Sequence, residues 1–435
     1  MLTAPVETTI DLLPFRRSFP ALWHEVEGKL GCFLDNPAGT QVPQDVIDGF
    51  REYFITSNAN LGGAFRTSNA SMAIFAEAHQ AMADFLGAAS PHEIVFGQNM
   101  TTLTFALSRA IGRTLAPGDE IVLTTLDHDA NVSPWRALSE RGVVIRTADI
   151  HEEDCTLDME SLAAQITPRT KVVAVTHCSN LVGSIVDVHE VTRLAHAVGA
   201  ISYIDAVQYA AHGPIDVQAI GCDFLVCSSY KFFGPHLGIL YGKYDLLTRL
   251  QPYKVRPADP MPPGAYETGT LNFEGCGGLL GAFSYLERLG RAAFAARPEG
   301  GAVTANSDPI APTRRNLLRQ AFTVMGRQES LLGQRLISGL QASPGVKIWG
   351  ITDPAKLHQR VPTVSFTLAG HSPESIAAYL GAQDIYVWSG NNYALPLTER
   401  LGLEDHGGVV RVGPVHYNTI ADIDRFLSAL EALSG

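Results

Sequence analysis

Short runs rich in β-branched and aromatic residues alternate with helical patterns between about residues 93 and 242. The runs lie at 93–96, 120–125, 143–148, 171–177, 200–206, 224–229 and 238–242. Segments between several of them are amphipathic, as in DVHEVTRLAHAVGA at 187–200. This alternation predicts βαβ units and a mostly parallel, buried sheet of seven strands. Ligands of such sheets bind beyond the carboxyl ends of the strands, so the residues that follow the strands are candidates for a functional site.

The pattern changes near the end of the third quarter of the chain. The segment RPEGGAVTANSDPIAPT at 297–313 is rich in Pro, Gly and Ser and predicts a flexible loop or linker. Beyond it, the pattern predicts a long helix over 314–342, strands near 346–350, 361–368, 385–388 and 409–412, and a final helix near 419–433. We therefore expect an α/β fold with a large domain over 31–285 and a smaller α+β domain formed by 1–30 and 286–435.

Composition excludes several classes of protein. The formal net charge of -12 argues against a nucleic-acid partner, because few cations are present to neutralise phosphates. No window of about 18 uninterrupted apolar residues predicts a membrane span. The first residues, MLTAPVETTIDLLPF, do not resemble a signal peptide, so a cytoplasmic location is expected. The six cysteines have no metal-binding spacing, so we expect small buried apolar side chains and no metal.

Polar side chains follow the predicted strands at four places. Asp205 ends one strand and Gln208 lies three residues on, Ser228 and Tyr230 precede Lys231 after another strand, and His128 follows a third strand. The fourth place is GQNMTT at 97–102, where a helix begins and can bind a phosphate group.

Together these side chains are the parts needed to hold pyridoxal phosphate. A lysine amine forms an imine with the cofactor's aldehyde, and a buried carboxylate pairs with the ring nitrogen. Each residue alone has an ordinary explanation: Lys231 as a surface lysine, Asp205 as a helix cap, and His128 as a structural histidine. Their joint occurrence in this chain order favours the cofactor site.

At these residues the chain resembles the class V aminotransferase family of fold-type-I pyridoxal-phosphate enzymes, which includes cysteine desulfurases and selenocysteine lyases. The resemblance covers most of the chain. Its motifs are FLDNPAGTQVP, HDANVSPW, HCSNLVGS, IDAVQ, SSYKFFGP, YETGTLN and VVRVGPVHYNT.

The resemblance implies a role for each matching residue. Lys231 would be the Schiff-base lysine, Asp205 the partner of the ring nitrogen, and Gln208 the partner of the phenolic oxygen. His128 would stack on the ring, and Asn180 would contact both cofactor and substrate.

The resemblance also implies how phosphate and substrate are bound. Four residues would bind the phosphate group: Met100, Thr101, Ser228 and Tyr230, the last of which is histidine in many relatives. Thr270 would reach the phosphate of a neighbouring subunit, so a homodimer with sites at the interface is expected. Arg411 resembles the arginine that binds the substrate's α-carboxylate, and a surface salt bridge is its alternative.

One loop departs from the family pattern. Cysteine desulfurases carry a cysteine on the loop that matches VWSGNNYALPL at 387–397, where it holds sulfur as a persulfide. Here Tyr393 occupies that position, and no cysteine follows Cys276. A phenol cannot replace a thiolate in this step, because its ordinary pKa is about 10. Trp388 and Asn392 of the same loop become candidate substrate contacts.

The sequence therefore predicts an enzyme that acts at the α and β (or γ) carbons of an L-amino acid by elimination, replacement or cyclisation. Lys231 would act as the general base after it is freed from the cofactor. Tyr393 is left as an acid/base, a gate or a packing residue. An aminotransferase or epimerase is the alternative function, and a non-catalytic binding protein is a third.

Overall fold

Seven strands form one large sheet in the first part of the chain. The structure is a computed structural model that describes residues 10–296 and 312–434. We label the strands in chain order: β1 Ile94–Gly97, β2 Glu120–Thr124, β3 Val144–Ala148, β4 Thr170–Thr176, β5 Ile201–Asp205, β6 Phe224–Ser228 and β7 Gly238–Gly242. Their order across the sheet is β1-β7-β6-β5-β4-β2-β3. Strand β7 is antiparallel to both neighbours and the other pairs are parallel, so the predicted mostly parallel sheet is confirmed.

Apolar side chains on both faces of this sheet are buried. Along β4, Val173 and Val175 belong to one apolar cluster, whereas Val172 and Ala174 belong to another. Successive side chains of a strand point to opposite faces, so the two clusters lie on opposite sides of the sheet. Burial on both faces explains why these strands are continuous apolar runs in the sequence.

Helices connect the strands and cover the sheet. The α-helices of six or more residues in the described chain, in order, are α1 Gln44–Thr56, α2 Arg66–Leu86, α3 Met100–Gly112, α4 Met159–Gln165, α5 Val188–Ala197, α6 Tyr244–Arg249, α7 Phe273–Ala295, α8 Arg314–Ala342, α9 Pro373–Gly381, α10 Leu395–Arg400 and α11 Ile420–Ser434. Helices α1 and α7 pack closely, because a Cβ atom at Gly49 would lie 2.4 Å from the carbonyl oxygen of Gly277.

A second, smaller sheet lies in the last part of the chain. Its strands are β8 Val346–Trp349, β9 Val364–Leu368, β10 Trp388–Gly390 and β11 Val409–Val412. Their order is β8-β9-β11-β10, and every neighbouring pair is antiparallel. Helices α8, α9 and α11 pack on this sheet around its own apolar cluster.

One predicted strand is divided in the structure. The run predicted at 385–388 becomes two pieces, because Ile385–Tyr386 pairs in parallel with Cys32–Phe33 whereas β10 pairs with β11. The N-terminal partner lies more than 350 residues away in sequence, so local sequence patterns could not predict this pairing. The domain limits at 31 and 285 stay a prediction.

Three further expectations concern the linker, the membrane and the cysteines. Residues 297–311 of the predicted linker lie outside the described residues, and Thr313 caps the start of α8 by accepting a hydrogen bond from the N–H of Asn316. In the parts of the chain that the structure describes, no helix has the length and apolar character needed to cross a membrane. All six cysteines are free and buried, as predicted.

Candidate active site

Two adjoining cavities lie beyond the carboxyl ends of β2, β4, β5 and β6. The inner cavity has a volume of about 60 Å³ and the outer cavity about 720 Å³. The two cavities share six of their lining residues: Thr101, His128, Ala130, Asn180, Tyr230 and Lys231. The inner cavity extends to Asp205 and Gln208, and the outer one to Arg411 and the loop at 388–393. The fold thus brings most of the predicted site residues together.

Lys231 lies in a single turn after β6 and is buried. Only 8% of its surface is exposed, and its Nζ donates a hydrogen bond to the carbonyl oxygen of Pro37. Burial and the charge of Arg411 lower the pKa of the amine to about 7, although Asp205 acts in the opposite direction. The alternative of a surface lysine is therefore wrong.

Asp205 is the last residue of β5 and lines the inner cavity. Its side chain is buried, and its Oδ1 accepts a hydrogen bond from the N–H of Val207 at 2.9 Å. Burial raises the pKa of the carboxyl to about 6, and the charge of Lys231 opposes that rise. A buried carboxylate with so few donors is costly unless a cation or a proton donor occupies the cavity beside it.

His128 follows β2 and faces both cavities with a neutral ring. Its Nδ1 accepts a hydrogen bond from the N–H of Ala130 at 3.0 Å, which places the ring proton on Nε2. Burial, Lys231 and Arg411 lower the pKa of this histidine to about 3. The ring of Tyr393 stacks nearly parallel to it, with the ring centres 5.5 Å apart. His128 therefore offers a flat, uncharged surface at neutral pH.

The predicted phosphate site is built around the start of α3. Met100 and Thr101 are the first two residues of this helix, whose first N–H groups have no partners within the helix and attract anions. The Oγ of Ser228 is buried and has no hydrogen-bond partner in the described chain. A Cβ atom at Gly238 would lie 2.3 Å from the carbonyl carbon of Asn99, so only glycine lets β7 approach the helix here.

Arg411 projects from β11 and is buried against the outer cavity. Its Nη1 donates to the carbonyl oxygen of Asn180 at 2.9 Å, but its Nε has no partner among the described residues. Burial lowers the pKa of the guanidinium to about 10, and the charge of Asp35 opposes this shift. No carboxylate of the described chain forms an ion pair with it, so the alternative of a surface salt bridge is wrong.

The loop at 388–393 closes one side of the outer cavity. Two hydrogen bonds attach it to the segments that follow β4 and β2: Asn180 Nδ2 donates to the carbonyl of Asn392 at 2.8 Å, and the N–H of Asp129 donates to the carbonyl of Tyr393 at 2.7 Å. Asn392 and Tyr393 both have positive φ angles, of 51° and 60°, which is uncommon for residues other than glycine. The side chains of Trp388 and Tyr393 are 51% and 72% exposed.

The side chains around the two cavities have the chemistry needed to bind pyridoxal phosphate. The buried polar atoms around them that have no partner in the described residues include Oε1 of Gln208, Oδ1 of Asn180, Nε of Arg411 and Oγ of Ser228. Buried polar atoms are nearly always hydrogen-bonded, so these atoms indicate that a polar ligand belongs here. A buried amine, a buried carboxylate and a helix start around one space are the groups that this cofactor needs.

Not every predicted residue lies in this site, and others were missed. Thr270 is exposed and lines neither cavity of its own chain, and Ser228 is buried but also lines neither cavity. The residues that the prediction missed are Pro37, which accepts from Lys231, and Asp129, which lines the outer cavity beside Ser133. The motifs FLDNPAGT and HDANVSPW contain Pro37 and Asp129, but only the fold shows that these residues face the cavities.

Comparison with known proteins identifies the family. The family model for aminotransferase class-V matches residues 32–302 and 316–426. The chain therefore belongs to the class V aminotransferase family, whose members depend on pyridoxal phosphate. The predicted enzyme class and cofactor are confirmed.

The individual relatives carry two kinds of name. A probable cysteine desulfurase of Mycolicibacterium paratuberculosis is 33% identical over 98% of this chain, which spans 58% of that protein's length. The aminotransferase-like protein FGM3 of Gibberella zeae is 34% identical, over 96% of both chains. The apo structure of the cysteine desulfurase from Thermococcus onnurineus superposes with a TM-score of 0.82 and 26% identity, over 100% of this chain and 99% of that one. The predicted fold class is confirmed.

Proposed function

We propose that this enzyme acts at the α and β (or γ) carbons of an L-amino acid, by elimination, replacement or cyclisation, without forming a persulfide on a loop cysteine. The observation that carries the proposal is the outer cavity itself. It holds a buried amine at Lys231 and a buried guanidinium without an ion-pair partner at Arg411, and the wall made by the loop at 388–393 has no thiol.

The residues of the inner cavity would hold the cofactor. Lys231 would bind its aldehyde, Asp205 its ring nitrogen and Gln208 its phenolic oxygen, and His128 would lie against the ring. Four residues around the start of α3 would bind its phosphate group: Met100, Thr101, Ser228 and Tyr230. When bound, pyridoxal phosphate supplies an electron-withdrawing ring that acidifies the α-carbon of an attached amino acid.

The chain's own residues would then move one proton and hold the substrate. Arg411 would bind the α-carboxylate, with Asn180 beside it, because a planar guanidinium suits a carboxylate. Lys231 Nζ would accept the proton of the α-carbon, since an amine with a pKa of about 7 is available as a base at neutral pH. Asn392 and Trp388 would contact the rest of the substrate.

A persulfide mechanism has no suitable thiol in this site. Cys178 is the cysteine that lines the inner cavity among the described residues, and it is fully buried. Burial raises the pKa of its thiol well above the ordinary value, so the reactive thiolate does not form at neutral pH. Tyr393 lies stacked on His128 instead, and we propose that it is a packing residue that shapes the wall.

The other residues that line the outer cavity suggest a substrate side chain larger or less charged than that of cysteine. Phe105 and Trp388 contribute aromatic rings to this cavity, and Asp129 contributes a carboxylate whose Oδ2 accepts from Ser133 at 2.7 Å. The cations of this cavity, Lys231 and Arg411, are those assigned to the cofactor and the α-carboxylate.

L-Glutamate should therefore bind at least about tenfold more weakly than L-glutamine, because Asp129 repels a second carboxylate. The two ligands match in length, and their dissociation constants are measured by calorimetry on the enzyme with cofactor. The difference should shrink in Asp129→Asn. Equal affinities in the wild-type enzyme would show that Asp129 does not face the substrate side chain.

We also propose a homodimer in which Thr270 reaches the site of the partner subunit. Thr270 is exposed and lies outside the cavities of its own chain, which supports a role at an interface. Large apolar side chains are also exposed at Phe54, Ile55, Tyr253 and Val255. Sedimentation should show a dimer, and Thr270→Ala should weaken phosphate binding without changing the mass. A monomer with full activity would exclude this arrangement.

Product analysis tests the proposed function most directly. The enzyme is incubated with one amino acid at a time, and keto acid and ammonia are measured without any added keto acid. Formation of both products supports elimination, whereas activity that requires a second keto acid identifies an aminotransferase. Inversion at the α-carbon, followed by chiral chromatography, without keto acid or ammonia identifies an epimerase.

A further inference from the structure

A buried pair of ionisable side chains lies behind Gln208, on the side away from the inner cavity. Nδ1 of His212 lies 2.8 Å from Oε2 of Glu329, and the two side chains are only 5% and 3% exposed. Nε2 of His212 lies 3.3 Å from the carboxamide nitrogen of Gln208. The pair therefore contacts the side chain that is assigned to the cofactor's phenolic oxygen.

The surroundings of the pair contain few other charges. His212 and Glu329 line a separate cavity of about 200 Å³, together with Tyr209, His358 and Arg360. The guanidinium of Arg360 is already occupied, because its Nη2 donates to two backbone carbonyls at 3.0 and 2.6 Å. Glu329 also accepts at 3.2 Å from the backbone N–H of His416, whose own ring is neutral because burial lowers its pKa to about 3.

Burial raises the pKa of the Glu329 carboxyl, which favours a proton held between Glu329 and His212. A neutral histidine beside an ionised Glu329 would leave a net negative charge in the interior, which is costly. One proton between Nδ1 of His212 and Oε2 of Glu329, which lie 2.8 Å apart, cancels that charge. Whichever partner holds this proton, Nε2 of His212 carries a hydrogen of its own, so it requires an acceptor on Gln208.

The carboxamide of Gln208 can supply that acceptor by a half-turn that exchanges its two ends. One end lies 3.0 Å from Oγ1 of Thr363 and 3.3 Å from His212, and the other end faces the inner cavity with no partner. The two ends have nearly the same shape, so either can occupy either position. If the oxygen faces His212, the N–H group faces the cavity and can donate to an anionic phenolic oxygen.

We propose that His212, paired with Glu329, is a positioning residue that holds the Gln208 carboxamide with its N–H end toward the cofactor's phenolic oxygen. The inference rests on the proposed cofactor assignment of Gln208. A donor at the phenolic oxygen stabilises its anion, so it lowers the pH at which the bound cofactor loses its shared proton. Without the pair, that pH should rise.

The experiment measures the pH midpoint of the visible absorption of the bound cofactor. It compares the wild type with Gln208→Ala, with the pair variant His212→Leu/Glu329→Leu, and with the triple variant that combines all three changes. A second pair variant, His212→Phe/Glu329→Gln, retains a ring and an amide. Replacing both partners leaves no lone buried charge, so folding should be retained, and thermal unfolding of the cofactor-free proteins checks this.

We expect Gln208→Ala and each pair variant to raise the midpoint by about one pH unit, which corresponds to one hydrogen bond to a charged group. The triple variant should match Gln208→Ala, because the pair acts through Gln208. The control His196→Leu removes a His–Asp contact of 2.8 Å. His196 lines none of the three cavities, so this variant should leave the midpoint unchanged.

Three outcomes would overturn the proposal. An unchanged midpoint in both pair variants would show that His212 does not orient Gln208, and so would a triple variant that shifts further than Gln208→Ala. If Gln208→Ala itself has no effect, the contact with the phenolic oxygen is absent and the proposal falls. The proposed function would still stand in that case, because it depends on Lys231 and Arg411.

Discussion

Replacing Lys231 with alanine should lower kcat at least about 10³-fold with every amino acid that the wild-type enzyme converts. The substitution removes the amine that binds the aldehyde and the base that accepts the α-proton, and general base catalysis alone contributes about 10²- to 10⁴-fold. The protein should still fold, because Lys231 makes one hydrogen bond to a carbonyl group and its charge is buried at a cost. Steady-state kinetics and visible absorption measure the effect.

The pH dependence of kcat in the wild-type enzyme is a second test of the role of Lys231. Below a pKa of about 7, Lys231 carries a proton and cannot accept another, so kcat should fall about tenfold per pH unit as the pH decreases below 7.

Lys171→Ala is the matched control for Lys231→Ala, since this lysine lies on the surface and lines neither cavity. If Lys231→Ala retains the absorption band and the activity of the control, Lys231 is not the cofactor's lysine.

The sequence predicts the large sheet well because each strand is recognisable from local residues. Strand β7 has the predicted limits, and helix α8 begins and ends at the predicted residues. The same alternation of strands and helices identifies the edge where the site lies, so Asp205 and Lys231 could be selected from their position after a strand.

Contacts between distant parts of the chain could not be predicted in this way. Asn180 binds the carbonyl of Asn392 across 212 residues, and His212 pairs with Glu329 across 117. Neither contact follows a periodic pattern, because each depends on how the small sheet packs against the large one. The resemblance to the family suggested a role for Arg411, but only the structure shows that its guanidinium is buried without an ion pair.

Replacing Arg411 with leucine should lower kcat/KM about 10²- to 10³-fold, mainly through a higher KM. Removing one partner of a buried charge pair costs about 2–5 kcal/mol, and here the partner would be the substrate's α-carboxylate. The free energy of unfolding without substrate should change by less than about 1 kcal/mol. The loss of the hydrogen bond to Asn180 is offset by removal of a buried charge without an ion-pair partner.

Arg360→Leu is the matched control because both arginines are buried, but Arg360 donates to several backbone carbonyls whereas Arg411 donates to that of Asn180. Arg360 donates to the backbone carbonyls of Val182 and Thr363, so its loss should destabilise the fold by about 1–3 kcal/mol. The two variants should therefore separate binding from stability: Arg411→Leu weakens substrate binding in a stable protein, whereas Arg360→Leu lowers the melting temperature. If Arg411→Leu instead unfolds the protein as readily as Arg360→Leu, or binds amino acids with unchanged affinity, Arg411 is a structural residue and the carboxylate is bound elsewhere.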